Sequence, residues 1–133
     1  MNPVIHFEMP AEDRERMAEF YKKTFGWQVE LLGPEMNEYS LVTTTENGEN
    51  GMPKTPGQIN GGFYKRSKDF PVQHTTVVIA VEDINASIEK VKEADGKVLG
   101  KPDEIPGVGM FVYFEDTEGN VAGILQPVPM DEG

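Results

Sequence analysis

Two side chains near the start of the chain could do chemistry together. His6 and Glu8 stand two apart in Val4-Ile5-His6-Phe7-Glu8-Met9. Ile5, Phe7 and Met9 alternate with them, the pattern of a half-buried strand. A strand would carry the imidazole and the carboxylate on one face. That pair could move a proton as a general base and acid, or give two donors to a divalent cation. His74 is the other histidine of the chain. Each has a plainer reading. His6 hydrogen-bonds a neighbour such as Glu8, Glu8 is a solvated strand carboxylate, and His74 is the exposed start of a strand.

Other catalytic chemistries find no support. The chain has no cysteine, which excludes disulfides, thiolate ligands and a cysteine nucleophile. It holds no G-x-S-x-G elbow, phosphate loop or H-E-x-x-H. Gly107-Val108-Gly109 follows Pro106 as a turn, not as a dinucleotide fingerprint. Trp27, Tyr39, Phe63, Phe111 and Tyr113 could line a ligand pocket, with core packing as the default for each.

The elements that must position these residues come in two rounds. Strands are predicted over 4–9, 27–32, 39–44 and 58–64, with a helix from Ala11 to Phe25. Met17, Phe20, Tyr21 and Phe25 recur at helical spacing and define its apolar face. Asp13 is its expected N-cap and Gly26 its C-terminal stop. Residues 46–57, rich in Gly, Pro and Asn, read as a long loop suited to a lid or specificity element. Phe70-Pro71 opens a second round: strand 75–81, a helix from Asp83 to Ala94 stopping at Gly96, then strands 97–100, 110–115 and 121–126. Residues 116–120 form the last turn, and Met130 to Gly133 a frayed tail. Sliding residues 12–27 by 70 positions aligns Glu12 with Glu82, Asp13 with Asp83, Glu19 with Glu89, Lys22 with Lys92 and Gly26 with Gly96. The shared β-α-β-β-β order makes an internal repeat of these matches.

Bulk properties bound the partners. The 133 residues suit one domain or two small modules. A net charge of −11 repels polyphosphates, so no nucleic-acid partner is expected. No apolar run is long enough to cross a membrane, and the start lacks the basic and apolar regions of a signal peptide. We expect a cytoplasmic protein with no membrane partner. Strand edges rich in β-branched and aromatic residues need cover, which predicts a homodimer.

The stretch from His6 through Asp13 to Phe20-Tyr21, closing in Phe25-Gly26-Trp27, resembles the opening of vicinal-oxygen-chelate proteins. This is the superfamily of glyoxalases, bleomycin-resistance proteins and extradiol dioxygenases. Val81-Glu82-Asp83-Ile84 and Phe114-Glu115-Asp116-Thr117-Glu118-Gly119-Asn120 resemble its second half. The resemblance implies an α+β fold: residues 1–133 form a single domain of two βαβββ modules, 1–66 and 70–129, whose curved mixed sheets form a shared cleft. It puts His6, Glu8, Thr76, Val78 and Ala80 on the cleft side, and Ile5, Phe7, Met9, Val77 and Ile79 against the helices.

Metal-using members of this superfamily hold a divalent ion with a His, Glu, His, Glu set. By the resemblance His6 matches the first position, while the others fall on Thr76, Gly61 and Gly123. His74 lies two residues from 76, about 6.6 Å along a strand, too far to substitute. The expectation is a protein without a complete family metal site, with His6, Glu8 and His74 as weak candidate donors. It binds a small organic molecule among His6, Glu8, Trp27, Tyr39, Phe63, Thr76, Phe111, Tyr113 and Gly123, and no cofactor is expected. The alternative is a lyase, isomerase or dioxygenase dependent on Ni, Zn, Fe or Mn. A metal-free enzyme with His6 or Glu8 as base is the third reading.

Overall fold

The computed structural model describes residues 1–36, 38–69 and 72–128. The expectations at Phe70-Pro71 and at the tail from Met130 lie outside the described residues. The β-α-β-β-β order occurs twice. The first round is β1 (Val4–Ala11), α1 (Arg14–Phe25), β2 (Gln28–Leu31), β3 (Ser40–Thr43) and β4 (Asn60–Lys65). The second is β5 (Thr76–Ala80), α2 (Ile84–Glu93), β6 (Lys97–Ile105), β7 (Gly109–Glu115) and β8 (Val121–Pro127). The chain divides into two compact units: His6–Thr75, and Met1–Ile5 together with the chain from Thr76 on.

In the unit His6–Thr75, β1 runs parallel to β4, β4 antiparallel to β3, and β3 antiparallel to β2. Phe7, Met9, Val42 and Phe63 turn to one face and pack with Met17 and Tyr21 of α1. The other unit repeats this wiring. There β5 is parallel to β8, β8 antiparallel to β7, and β7 antiparallel to β6. Ile84 and Ile88 of α2 pack on Val81, Val112 and Ile124.

The expected curvature is corrected. Each unit's strands follow a linear order, β2-β3-β4-β1 and β5-β8-β7-β6, with β2 at an end of the first and β6 at an end of the second. The sheet is neither closed nor strongly curled. Closure requires an end strand to pair onward with a matching stagger, and among the described residues β2 pairs with β3 alone and β6 with β7 alone.

Both helix starts follow from local chemistry. Asp13 accepts from the Arg16 amide at 3.0 Å, and Asp83 from the Ala86 amide at 3.1 Å, each satisfying an end amide that the helix cannot. Gly26 ends α1 at φ +75°, a left-handed conformation that side chains disfavour. The second helix departs from the repeat: Asp95, not Gly96, takes the left-handed position at φ +68°. The apolar face of α1 is narrower than its spacing predicts. Met17 and Tyr21 reach the core, while Phe20 and Phe25 remain 57% and 63% exposed. Strand β6 is longer than expected. A register shift between Leu99 and Asp103, with Gly100 at φ +87°, lets it bend and continue.

Candidate functional site

Because Phe7 and Met9 enter the α1 core, His6 and Glu8 must turn to the opposite face of the sheet. The parallel register sets His6 opposite Asn60 and Glu8 opposite Gly62. Tyr39 arrives on this face from the residue before β3. A short 3-10 turn at Pro34–Met36 returns the chain, and the Tyr39 amide bonds to the Met36 carbonyl at 3.1 Å. Arg14 of α1 then pins the backbone. Its Nη1 donates to the carbonyls of Leu32 and Tyr39, each at 3.1 Å, and to Ser40 Oγ at 3.0 Å.

The Tyr39 hydroxyl lies 3.0 Å from His6 Nε2 and shares a side-chain hydrogen bond with Glu8. A carboxylate can only accept, so the phenol gives its proton to Glu8. Its oxygen is then left to accept, which assigns the shared proton on the other side to His6 Nε2. The three groups form a chain from imidazole through phenol to carboxylate. The phenol fits only because residue 62 is glycine: a Cβ there would lie 1.8 Å from the Tyr39 hydroxyl oxygen.

Burial sets the charges. Glu8 is 8% exposed. Desolvation pulls the His6 pKa from 6.5 down to about 4, so the imidazole is neutral near pH 7. Desolvation, then the charge of Glu8 and its hydrogen bond, push the Tyr39 phenol well above its usual range. Tyr64, on the same face of β4, is pushed up to about 12 by burial and by Glu8, against a smaller opposing effect of Arg66. Its hydroxyl lies 3.2 Å from the carbonyls of both Val72 and His74. The face thus offers neutral donors around one buried carboxylate.

The residues present do not fit the family's divalent ion. His6 Nε2 already faces the phenol, and the phenol oxygen stands between imidazole and carboxylate. Among the described residues no group of three or more His, Asp or Glu is placed to share an ion. His74 is exposed. The comparison position at Gly61 is shifted by one. Gly61 pairs with Phe7 and a Cβ there would strike the Phe7 ring, so Gly62 is the β4 residue on the His6 face. A slip of one residue changes the face of a strand.

In the second unit, Thr76 and Val78 are 4% and 1% exposed. The Thr76 Oγ1 is buried without a hydrogen-bond partner among the described residues. Val78 pairs with Gly123, the counterpart of Glu8 with Gly62. Here too an aromatic ring covers the glycine: a Cβ at 123 would lie 2.5 Å from the Phe111 ring. Phe111 meets Tyr113 edge to face at 4.7 Å.

Trp27 and Phe63 stand elsewhere than the pocket expectation put them. Trp27 stacks on Tyr21 at 4.5 Å, and Phe63 is fully buried against the same tyrosine at 5.7 Å. Both follow the parity of Phe7 and belong to the core under α1. The loop expected as a lid is internally braced. Asn60 holds the Thr44 amide and the Asn47 side chain, each at 2.8 Å, while Lys54 pairs with Glu46 at 2.8 Å.

Sequence reasoning missed three features of this site: the bridging place of Tyr39, the clamp from Arg14, and the need for glycine at 62. A hollow of about 460 Å³ lies by Ala80, Glu82 and Gln126, and another of about 270 Å³ lies by Glu19 and Val29. Neither includes His6, Glu8 or Tyr39. We place the candidate site by its chemistry rather than by these open depressions.

Known proteins share sequence and fold with this chain. The model of the Glyoxalase/Bleomycin resistance protein/Dioxygenase superfamily matches residues 4–124. A glyoxylase-like domain-containing protein of Didymella fabae is 33% identical over 120 residues, 88% of each chain. The anthracycline biosynthesis protein DnrV of Streptomyces peucetius is 26% identical over 85% of this chain, which spans only 42% of its length. Among solved structures, methylmalonyl-CoA epimerase from Mycobacterium tuberculosis superposes with a TM-score of 0.67 at 10% identity, covering 95% of this chain and 88% of the epimerase. At that identity the likeness shows the fold alone.

Proposed function

Since the chain belongs to the glyoxalase/bleomycin resistance protein/dioxygenase superfamily, we propose that it binds a small organic molecule on the face of His6, Glu8 and Tyr39, without the family's metal set. The observation that carries this reading is the hydrogen-bonded chain of His6, Tyr39 and Glu8 over Gly62. A buried carboxylate and two half-buried neutral groups on one face suit a ligand bound by hydrogen bonds rather than by chelation. The net charge of −11 favours cationic ligands by steering. In the second unit, Thr76, Phe111, Tyr113 and Gly123 are the counterpart residues. The Thr76 hydroxyl, buried and without a hydrogen-bond partner among the described residues, supports a polar contact to a ligand there.

The test is a fragment screen read by protein NMR. A specific ligand is expected to move the resonances of His6 and Tyr39 and to lose affinity in Tyr39→Phe. Hits that leave both residues untouched refute the assignment. Trp27, stacked under α1, is expected to report little of this binding by fluorescence.

We also propose a homodimer in the cytoplasm. Free end strands β2 and β6 support the assembly. Among the described residues no helix is long and apolar enough to cross a membrane. A single species of monomer mass by light scattering at high concentration refutes the dimer.

A further inference from the structure

We propose that Tyr39 stands where a cation held by His6, Glu8 and a donor at 62 would sit, so that this half of the protein is a metal-binding face closed by an internal phenol. The inference rests on the metal-free reading above and adds its cause. On this face β1 supplies an imidazole and a carboxylate two residues apart, and adjacent β4 runs parallel with residue 62 opposite Glu8. Strand spacing of about 4.8 Å would let a donor at 62 converge with His6 and Glu8 on one ion. The chain has glycine there instead, and the volume of the missing side chain holds the Tyr39 hydroxyl.

The phenol does more than fill space. Its oxygen is 3.0 Å from His6 Nε2 and hydrogen-bonded to Glu8, so it occupies both donors at once. A bridging ion would make those same two contacts. Arg14 and the 3-10 turn hold the backbone of Tyr39, which fixes the point from which the ring reaches this face. Gly62 and Tyr39 are therefore a matched pair: either change alone leaves the replacement incomplete. The second unit carries the parallel exchange in apolar form, with Val78 in place of the carboxylate and Phe111 over Gly123.

The test titrates Ni²⁺ and Zn²⁺ in a non-chelating buffer, with no organic ligand present. Failure to find a small-molecule ligand therefore leaves this result unaffected. Wild type and His6→Ala are expected to show the same background uptake. The double variant Tyr39→Ala/Gly62→Glu is expected to bind one equivalent, roughly a hundredfold more tightly than wild type. Adding His6→Ala should abolish that gain. Should the double variant fail to fold by circular dichroism, Tyr39→Ala alone carries the test. It should bind roughly tenfold more tightly than wild type, with His6 Nε2 as the perturbed nitrogen by NMR. Stoichiometric uptake by wild type that depends on His6 overturns the proposal. So does a folded double variant, or a folded Tyr39→Ala, that binds no better than wild type.

Discussion

The neutral state of His6 makes a pH-dependent stability that can be calculated before it is measured. In the unfolded chain His6 takes up a proton near pH 6.5; in the fold, burial delays this until about pH 4. Between those values the unfolded state holds more protons than the native state. Stability therefore falls as pH drops through this window and levels off below it. At about 1.4 kcal/mol per pH unit, the full window is worth about 3 kcal/mol. Partial solvent contact at His6 reduces this, so we expect a loss of about 2 kcal/mol between about pH 7 and about pH 4.5. The comparison protein is His6→Gln, whose amide can still donate to Tyr39 and cannot titrate. Urea unfolding of both proteins at the two pH values isolates the histidine, because ordinary carboxylates contribute equally to each. The wild type should lose about 2 kcal/mol more than the variant on acidification. Equal losses would refute the assignment of a buried, neutral imidazole at this site.

Three further outcomes follow from the local geometry. Asp13→Ala should lower stability by about 0.5–2 kcal/mol through the lost cap, read as a fall in Tm. Gly26→Ala should cost about 1–2 kcal/mol, because the cap sits at φ +75°; the space there is open, so an unchanged Tm would deny the left-handed conformation. Gly62→Ala should force the Tyr39 hydroxyl from its place, with loss of the His6–Tyr39 contact by imidazole NMR; an unperturbed His6 signal would contradict the overlap.

Much of this protein is decided within a few residues of chain. Alternation in 4–9 is enough to put His6 and Glu8 on one side and Phe7 and Met9 on the other, because a strand has a two-residue period. Asp13, Asp83 and Gly26 act on their own helix ends, so their roles can be seen without a fold. The repeated element order, with its family resemblance, was enough for the βαβββ pattern. What depends on pairing between distant segments was not. The parity of Gly61 and Gly62 is set by the β1–β4 register across more than fifty residues. That register moved the comparison position by one and sent Phe63 into the core. Trp27 was drawn away by its stack on Tyr21. The position of Tyr39, thirty-three residues from the histidine it meets, needed a turn, an arginine from another element and the empty side of a glycine. No local pattern encodes such a meeting, because the contact exists only when three strands and a helix are in register, and it is this meeting that decides what His6 and Glu8 can bind.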